Sequence, residues 1–296
     1  MTTSTLSGII AYPVTPFTET DGEIDLPTLG IVIDDLINSG ADAIAALGSA
    51  GEGAYLDELE WQQVASYSVE KVAGRVPVVI GISELTTANA VARARFAEDI
   101  GADVIMVAPL SYYKLSEAEI YQHYATISEA INIPIMLYNN PATSGIDMSA
   151  EFMLSMVDGL DNVTMIKEST GDIQRMHDIY RLSQNKVPFF NGCNYMALEA
   201  LNAGAAGWCT AAPCLIGGKP KALFDAVQGG KADKARELFY QQLELLEFIV
   251  KGGLAATVKA GLAMRGINAG LPRKPLLELS EASLLKLKKI LQRVNP

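Results

Sequence analysis

The amino-acid sequence predicts an α/β fold, a (β/α)8 TIM barrel with a C-terminal helical extension. Three observations carry the prediction. Eight short, continuously apolar runs precede residue 215, as expected for a parallel sheet covered on both faces. Helical patterns lie between them, so the chain alternates strand and helix. Beyond residue 215 the strands stop and only helical patterns follow. The expected division is a catalytic barrel over residues 1–226 and a helical region over 227–296. A doubly wound open sheet is the rival topology, which periodicity alone leaves open.

The first strand is read in "GIIAYPV" from Gly8. Two kinds of lead-in then recur. Gly40-Ala41-Asp42, Gly101-Ala102-Asp103 and Gly204-Ala205 precede "AIAAL", "VIMVA" and "AGWCT". Val76-Pro77, Ile133-Pro134 and Val187-Pro188 precede "VVIGI", "IMLY" and "FFNG". Glycine suits the end of a preceding helix, and proline is tolerated where a strand begins. "VTMIK", ending at Lys167, completes the eight. Between the third and fourth strands, "TANAVARARFAEDIG" predicts a helix with Ala88, Val91, Ala92, Phe96 and Ile100 on one side. Between the fourth and fifth, "SEAEIYQHYATISEAI" opens with a capping box, Ser116 to Glu119, and carries Ile120, Tyr124, Ile127 and Ile131. The tail reads as four helices: "KPKALFDAVQGG", which completes the barrel, then "KADKARELFYQQLELLEFIV", "GLAATVKAGLAMRG" and "SEASLLKLKKILQRV".

Composition narrows the chemistry. The net charge of −11, from 23 basic and 34 acidic residues, repels phosphate backbones and argues against nucleic-acid binding. No apolar run is long enough to span a membrane, and "MTTSTLSGII" lacks the basic start of a signal peptide. Cys193, Cys209 and Cys214, odd in number and irregular in spacing, fit a reducing cytoplasm. His123 and His177 lie in helical patterns with no second ligand at metal spacing, so no metal site is expected. A Ser–His–Asp triad is poorly supplied for the same reason. The chemistry is expected from Lys, Tyr, Ser or Thr.

In barrels of this kind the chemistry gathers at the carboxyl ends of the strands. Those ends present Thr15, the turn Gly48–Glu52, Ser83-Glu84, Ser111-Tyr112-Tyr113, Tyr138-Asn139-Asn140-Pro141, Lys167, Asn191-Gly192 and Cys209-Thr210. Lys167 alone among the lysines ends a wholly apolar strand. Desolvation disfavours an ammonium ion, which frees a nucleophilic amine for a Schiff base with a carbonyl substrate. The alternative is an ion pair with Glu168 or Asp172. Tyr138 ends the neighbouring strand, within reach of a substrate carbon on Lys167, where a phenol can pass protons; alternatively it caps the core. "LGSAGEG" reads as an anion nest for a substrate carboxylate, with Ser49 adding a hydroxyl, or as a plain tight turn. "SYYK" supplies either a relay tyrosine or a contact patch.

Together "GSAGE" (48–52), "YNNPATSG" (138–145), "IKESTGD" (166–172) and "NGCN" (191–194) resemble the dihydrodipicolinate synthase/N-acetylneuraminate lyase family of Schiff-base, class I aldolases. The resemblance runs from "GIIAYPVTPF" through the helical tail. It implies that Lys167 forms the imine with pyruvate or another 2-oxo acid and that Tyr138 gives and takes the proton. It implies that Ser49, with the Ser49 and Ala50 amides, holds the carboxylate, and that Tyr112 joins the relay across a subunit interface. Gly192 and Cys209 would line the keto-acid site, Cys209 through its backbone. No cofactor beyond the covalent imine is implied. The expected partners are pyruvate and an aldehyde, and the expected assembly is a homotetramer, a dimer of dimers.

Departures from the family pattern bear on the substrate. Ala50 replaces a second hydroxyl in the turn. Thr143 stands where the synthase branch has an arginine for its second substrate's carboxylate, and Cys193 and Asn194 stand where the sialic-acid branch has acids. Reversible aldol cleavage of a 2-oxo-3-deoxy (sugar) acid is therefore the expected reaction. 4-Hydroxy-tetrahydrodipicolinate synthase, from pyruvate and aspartate semialdehyde, and a 2-oxo acid dehydratase are the alternatives. A barrel that binds a 2-oxo acid without turning it over is the non-enzymatic one.

Overall fold

The computed structural model describes residues 6–18 and 22–294. The opening stretch read against a signal peptide lies partly outside them. Eight strands form one closed parallel barrel in chain order: β1 (Gly8–Ala11), β2 (Ala43–Ala46), β3 (Val78–Ile82), β4 (Val104–Val107), β5 (Ile135–Asn139), β6 (Val163–Glu168), β7 (Phe189–Asn191) and β8 (Gly207–Thr210). Pairing of β8 with β1, from Gly8–Gly207 to Ala11–Thr210, closes the sheet and removes the open-sheet alternative. β1 is shorter than "GIIAYPV" suggests. Pro13 has no N–H to give, so regular pairing ends beside it, and the Tyr12 N–H makes a last bond to the Thr210 carbonyl at 3.1 Å. β5 and β6 each run one residue further than the sequence indicates, to Asn139 and Glu168.

The repeated lead-ins have a physical reason. Asp42 and Asp103, each the last residue of a Gly-Ala-Asp run, accept the main-chain N–H of Ile9 and Val78 at 2.8 Å. Each carboxylate thus ties the start of its own strand to the start of the strand before it. Gly101, with φ of 86°, takes the left-handed conformation that ends the helix ahead of β4 at little cost.

The helix Thr87–Asp99 corrects one expectation. Its buried face is Ala90, Arg93, Ala94 and Ala97, whereas Ala88 and Ala92 are exposed. Reading arginine as a surface residue misplaces the face by part of a turn. Arg93 is buried because Glu84 and Glu58 take its charge at 2.6 and 3.1 Å, and its guanidinium lies 4.8 Å from the Trp61 ring centroid. The helix Glu117–Ser128 has the expected capping box, with the Ser116 N–H donating to the Glu119 carboxylate at 2.7 Å. It buries Ile120, Tyr124 and Ile127 as its spacing predicts.

The helix Lys219–Gln228 follows β8 and packs on β1. Three helices make the extension: Ala232–Lys251, Leu254–Met264 and Glu281–Val294. Among the described residues, no helix is long and apolar enough to cross a membrane.

Candidate active site

A cavity of about 420 Å³ opens at the carboxyl ends of the strands. Lys167 and Tyr138 are paired across β5 and β6, and both are buried, 4% and 5% exposed. Successive strand residues point to opposite faces. Lys167 and Tyr138 therefore face the cavity, while their neighbours Glu168 and Asn139 face away and bond to each other. Asn139 Nδ2 donates to Glu168 Oε2 at 2.9 Å, and the Thr170 N–H donates to Oε1 at 2.6 Å. Asn139 Oδ1 accepts the Met148 N–H, and Arg175 pairs with Asp147 beside it. This network clamps the ends of β5 and β6 in register. It also occupies Glu168, whose pKa burial pushes up while these bonds oppose the rise. Among the described residues, no carboxylate makes an ion pair with Lys167, so the alternative role as half of a salt bridge falls away.

The Lys167 Nζ lies 3.7 Å from the centroid of the Tyr138 ring. Burial is the largest influence on the Tyr138 phenol and raises its pKa. The charge of Lys167 and hydrogen bonds with Asn140, Ser49 and Lys167 together outweigh it, leaving the phenol more acidic than an ordinary tyrosine. Asn140 Nδ2 donates to the Tyr138 hydroxyl at 2.8 Å.

The turn after β2 is a short 3-10 segment, Ser49–Gly51, with Ser49 and Ala50 on the cavity wall. The first amides of such a turn have no partner within it and can serve an anion. Two non-glycine residues with left-handed backbone bracket it, Leu47 at φ 61° and Glu52 at φ 54°. Conformations of this kind persist only where the surroundings fix them. The Thr15 hydroxyl donates to the Gly51 carbonyl at 2.6 Å. Glu52 is fully buried and pairs with Lys259 at 2.7 Å, and its other oxygen accepts the Arg273 N–H at 2.6 Å. Lys259 also donates to the Leu271 carbonyl and lies 3.9 Å from the Phe17 ring centroid. Burial lowers its pKa to about 8 against the opposing pull of Glu52.

Gly192 and Cys209 both line the cavity. A Cβ at Gly192 would lie 1.8 Å from the Ser169 hydroxyl oxygen and 2.9 Å from Lys167 Cε, so only glycine leaves the lysine its place. Cys209 is a free, buried thiol whose pKa burial pushes up, with Lys167 and Tyr12 pulling the other way. Thr143, in the short helix Pro141–Ser144, lines the cavity, as does Tyr195; Ser83 does not. Tyr112 stands apart: it is 86% exposed on the loop after β4, stacked edge-on against Tyr113, and does not line the cavity of its own chain.

Several lining residues have contacts that the sequence reading does not assign. Tyr12 is one, with its ring centroid 4.5 Å from Lys167 Nζ; an aromatic residue at the end of the first strand was the available signal. Asn140 is named from the sequence only as part of a strand end, yet its amide donates to the phenol. Asn194 accepts from the Thr210 hydroxyl at 2.8 Å and the Trp208 indole at 3.3 Å, which fixes the rim between β7 and β8. Ile249, Val250 and Leu254 come from the extension, and no local pattern announces that they reach the cavity. A second cavity of about 430 Å³ lies between the helix Leu254–Met264 and the loop that follows it. Its one lysine is Lys259, whose nitrogen is already engaged by Glu52 and Leu271.

Comparison with known proteins gives concordant results. Residues 5–294 match the sequence model of the dihydrodipicolinate synthetase family. A 4-hydroxy-tetrahydrodipicolinate synthase of Thermoanaerobacter sp. (strain X514) is 31% identical over 280 residues, covering 95% of this chain and 94% of its own. A Pseudomonas aeruginosa structure, provisionally described as a dihydrodipicolinate synthetase, is 53% identical with a TM-score of 0.96, covering 98% of this chain and 99% of that one. An E. coli K12 prophage protein of the dihydrodipicolinic acid synthase family, solved in complex with pyruvate, is 26% identical with a TM-score of 0.93, covering 99% of each chain.

Proposed function

The chain belongs to the dihydrodipicolinate synthetase family, whose members are pyruvate-dependent class I lyases and aldolases, and from that premise we propose a reversible aldol cleavage of a 2-oxo-3-deoxy sugar acid on Lys167. The observation that carries the reading is the buried Lys167 amine 3.7 Å from the Tyr138 ring, in a cavity whose described lining holds no other charged residue. Lys167 passes a proton to Tyr138 and its amine attacks the keto carbon; Tyr138 returns that proton as water leaves, which gives the iminium and a phenolate. The carboxylate rests on the Ser49 hydroxyl and the amides of Ser49 and Ala50. Tyr138 takes the proton from the C4 hydroxyl and the C3–C4 bond breaks. An aldehyde leaves, and the electrons of that bond move into the enamine of pyruvate. Protonation at C3 and hydrolysis then release pyruvate and the free amine. The iminium is the electron sink, so the route calls on no metal or organic cofactor.

The uncharged remainder of the wall supports a neutral distal half of the substrate. Thr143, Ser169, Thr170 and Asn194 offer hydroxyls and an amide for sugar-like hydroxyl groups. The names of the curated relatives favour a second reading, the synthase reaction on pyruvate and aspartate semialdehyde. Against it, a buried second carboxylate would meet no cation at Thr143. The relay tyrosine at Tyr112 and a homotetramer belong to the same proposal, supported by the exposure of Tyr112, Tyr113, Leu85 and Leu59. So does a cytoplasmic location, supported by three free cysteines.

The test is borohydride reduction in the presence of pyruvate. It should leave one covalent adduct, mapped by peptide mass to Lys167, and Lys167→Ala should lose both adduct and turnover while keeping its circular-dichroism spectrum. Turnover by that variant would end the mechanism. A panel of 2-oxo-3-deoxy acids, read by released pyruvate, with pyruvate plus aspartate semialdehyde in parallel, separates the two substrates.

A further inference from the structure

We propose that Tyr12 is a positioning residue for the imine: the face of its ring, with that of Tyr138, holds the Lys167 nitrogen and stabilises the cation that forms there. The inference rests on the Schiff-base reading of Lys167. In that step the lysine ammonium and the keto group give a protonated imine and one water, so the positive charge stays on the nitrogen. Such a charge needs a counterpart inside a dry site. Among the described residues no carboxylate pairs with Lys167, and the nearest acid along the strand, Glu168, is turned away and bonded to Asn139 and Thr170. Two aromatic rings meet the nitrogen instead, Tyr138 at 3.7 Å and Tyr12 at 4.5 Å, both within the range of attraction between a cation and a ring face.

The surroundings of Tyr12 are built to hold that ring. Its N–H bonds the Thr210 carbonyl at 3.1 Å, which continues the β1–β8 ladder by one residue. Its hydroxyl reaches across the barrel interior and donates to Met106 Sδ on β4 at 3.1 Å. Gly48 leaves the space the ring fills, because a Cβ there would fall 2.6 Å from Tyr12 Cε1. Burial, with Cys209 and Tyr138 adding to it, holds the Tyr12 hydroxyl protonated well beyond the ordinary range. Tyr138 is shifted the opposite way. The two tyrosines therefore divide the work: Tyr138 carries protons, and Tyr12 offers an electron-rich face and no base.

Fluorinated phenylalanines at position 12 test this, because fluorine weakens the ring face while nearly keeping its shape. The readout is the equilibrium constant for imine formation with pyruvate, from borohydride trapping and intact mass against pyruvate concentration. Tyr12→Phe should trap within about threefold of the parent, since the face remains. One, two and three fluorines on that phenylalanine should weaken trapping step by step. Tyr12→Met, which fills space without a ring, should trap on the order of tenfold more weakly. A flat fluorine series overturns the proposal, as does a Tyr12→Phe variant as weak as Tyr12→Met, which would assign the role to the hydroxyl. If Tyr12→Met fails to fold, the near-isosteric fluorine series still decides. Absence of an adduct on Lys167 in the parent protein would instead remove the Schiff-base reading and this inference with it.

Discussion

A methyl group at Gly192 would meet the Ser169 hydroxyl, which can rotate away, and Lys167 Cε at 2.9 Å, which has Tyr138 and Tyr12 beside its nitrogen. Gly192→Ala is therefore expected to lower kcat by about a hundredfold, the scale of loss for a reacting group displaced by about an ångström. Thermal denaturation should move by only a few degrees, and steady-state kinetics beside a melting curve checks both. Asn140 permits a sharper test. Its amide donates to the Tyr138 oxygen and favours the phenolate, so removing it raises the phenol's pKa. On the proposed cleavage route Tyr138 accepts a proton, so activity is expected to rise with pH as the phenol ionises. Asn140→Ala should move that limb of the pH–kcat profile to higher pH, and an unmoved limb would show that Tyr138 is not the base. Lys167 and Tyr138 were legible in the sequence because each closes an apolar run, where a polar side chain is conspicuous. Tyr12 was not, because Pro13 and Val14 prolong its run and conceal where the strand ends.

The strands themselves are the most legible elements. They are buried on both faces and so read as unbroken apolar runs, and their lead-ins repeat for a reason that Asp42 and Asp103 make explicit. The helix Thr87–Asp99 shows the limit: its buried face includes an arginine, and only its ion pairs with Glu84, just ahead of the helix, and with the more remote Glu58 make that arginine an inside residue. The turn Ser49–Gly51 was legible as a glycine-rich turn at a strand end, but what fixes it was not. Glu52 is held by Lys259 and by the Arg273 N–H, two elements far along the chain. Removing one partner of such a buried pair strands the other charge. Lys259→Met is therefore expected to cost about 3–5 kcal/mol in denaturant titrations. The KM for pyruvate should rise as the turn loosens. Glu52→Leu combined with Lys259→Met should recover much of the stability, because no unpaired charge remains.

At the scale of the whole molecule, eight strands could be counted from the sequence, but closure could not, since it depends on β8 meeting β1. The extension was legible as helices and not as a wall of the site, because its contacts with the barrel mouth join residues that no local pattern links. The exposed Tyr112 and Tyr113 belong to this scale as well. If they seat against a second copy of the chain, Tyr112→Asp should shift the protein to smaller species in sedimentation velocity and lower kcat at least tenfold, whereas Tyr112→Phe should keep the assembly and lose only the relay. An unchanged sedimentation profile for Tyr112→Asp would detach Tyr112 from the interface. The grip of Lys259 and Arg273 on Glu52 has a temporal consequence. During synthesis Lys167, Tyr138 and Tyr12 leave the ribosome long before the segment that steadies the turn Ser49–Gly51. On the proposed reading, a nascent chain can therefore hold its amine and still be unable to seat a substrate until the stretch carrying Lys259 and Arg273 has emerged.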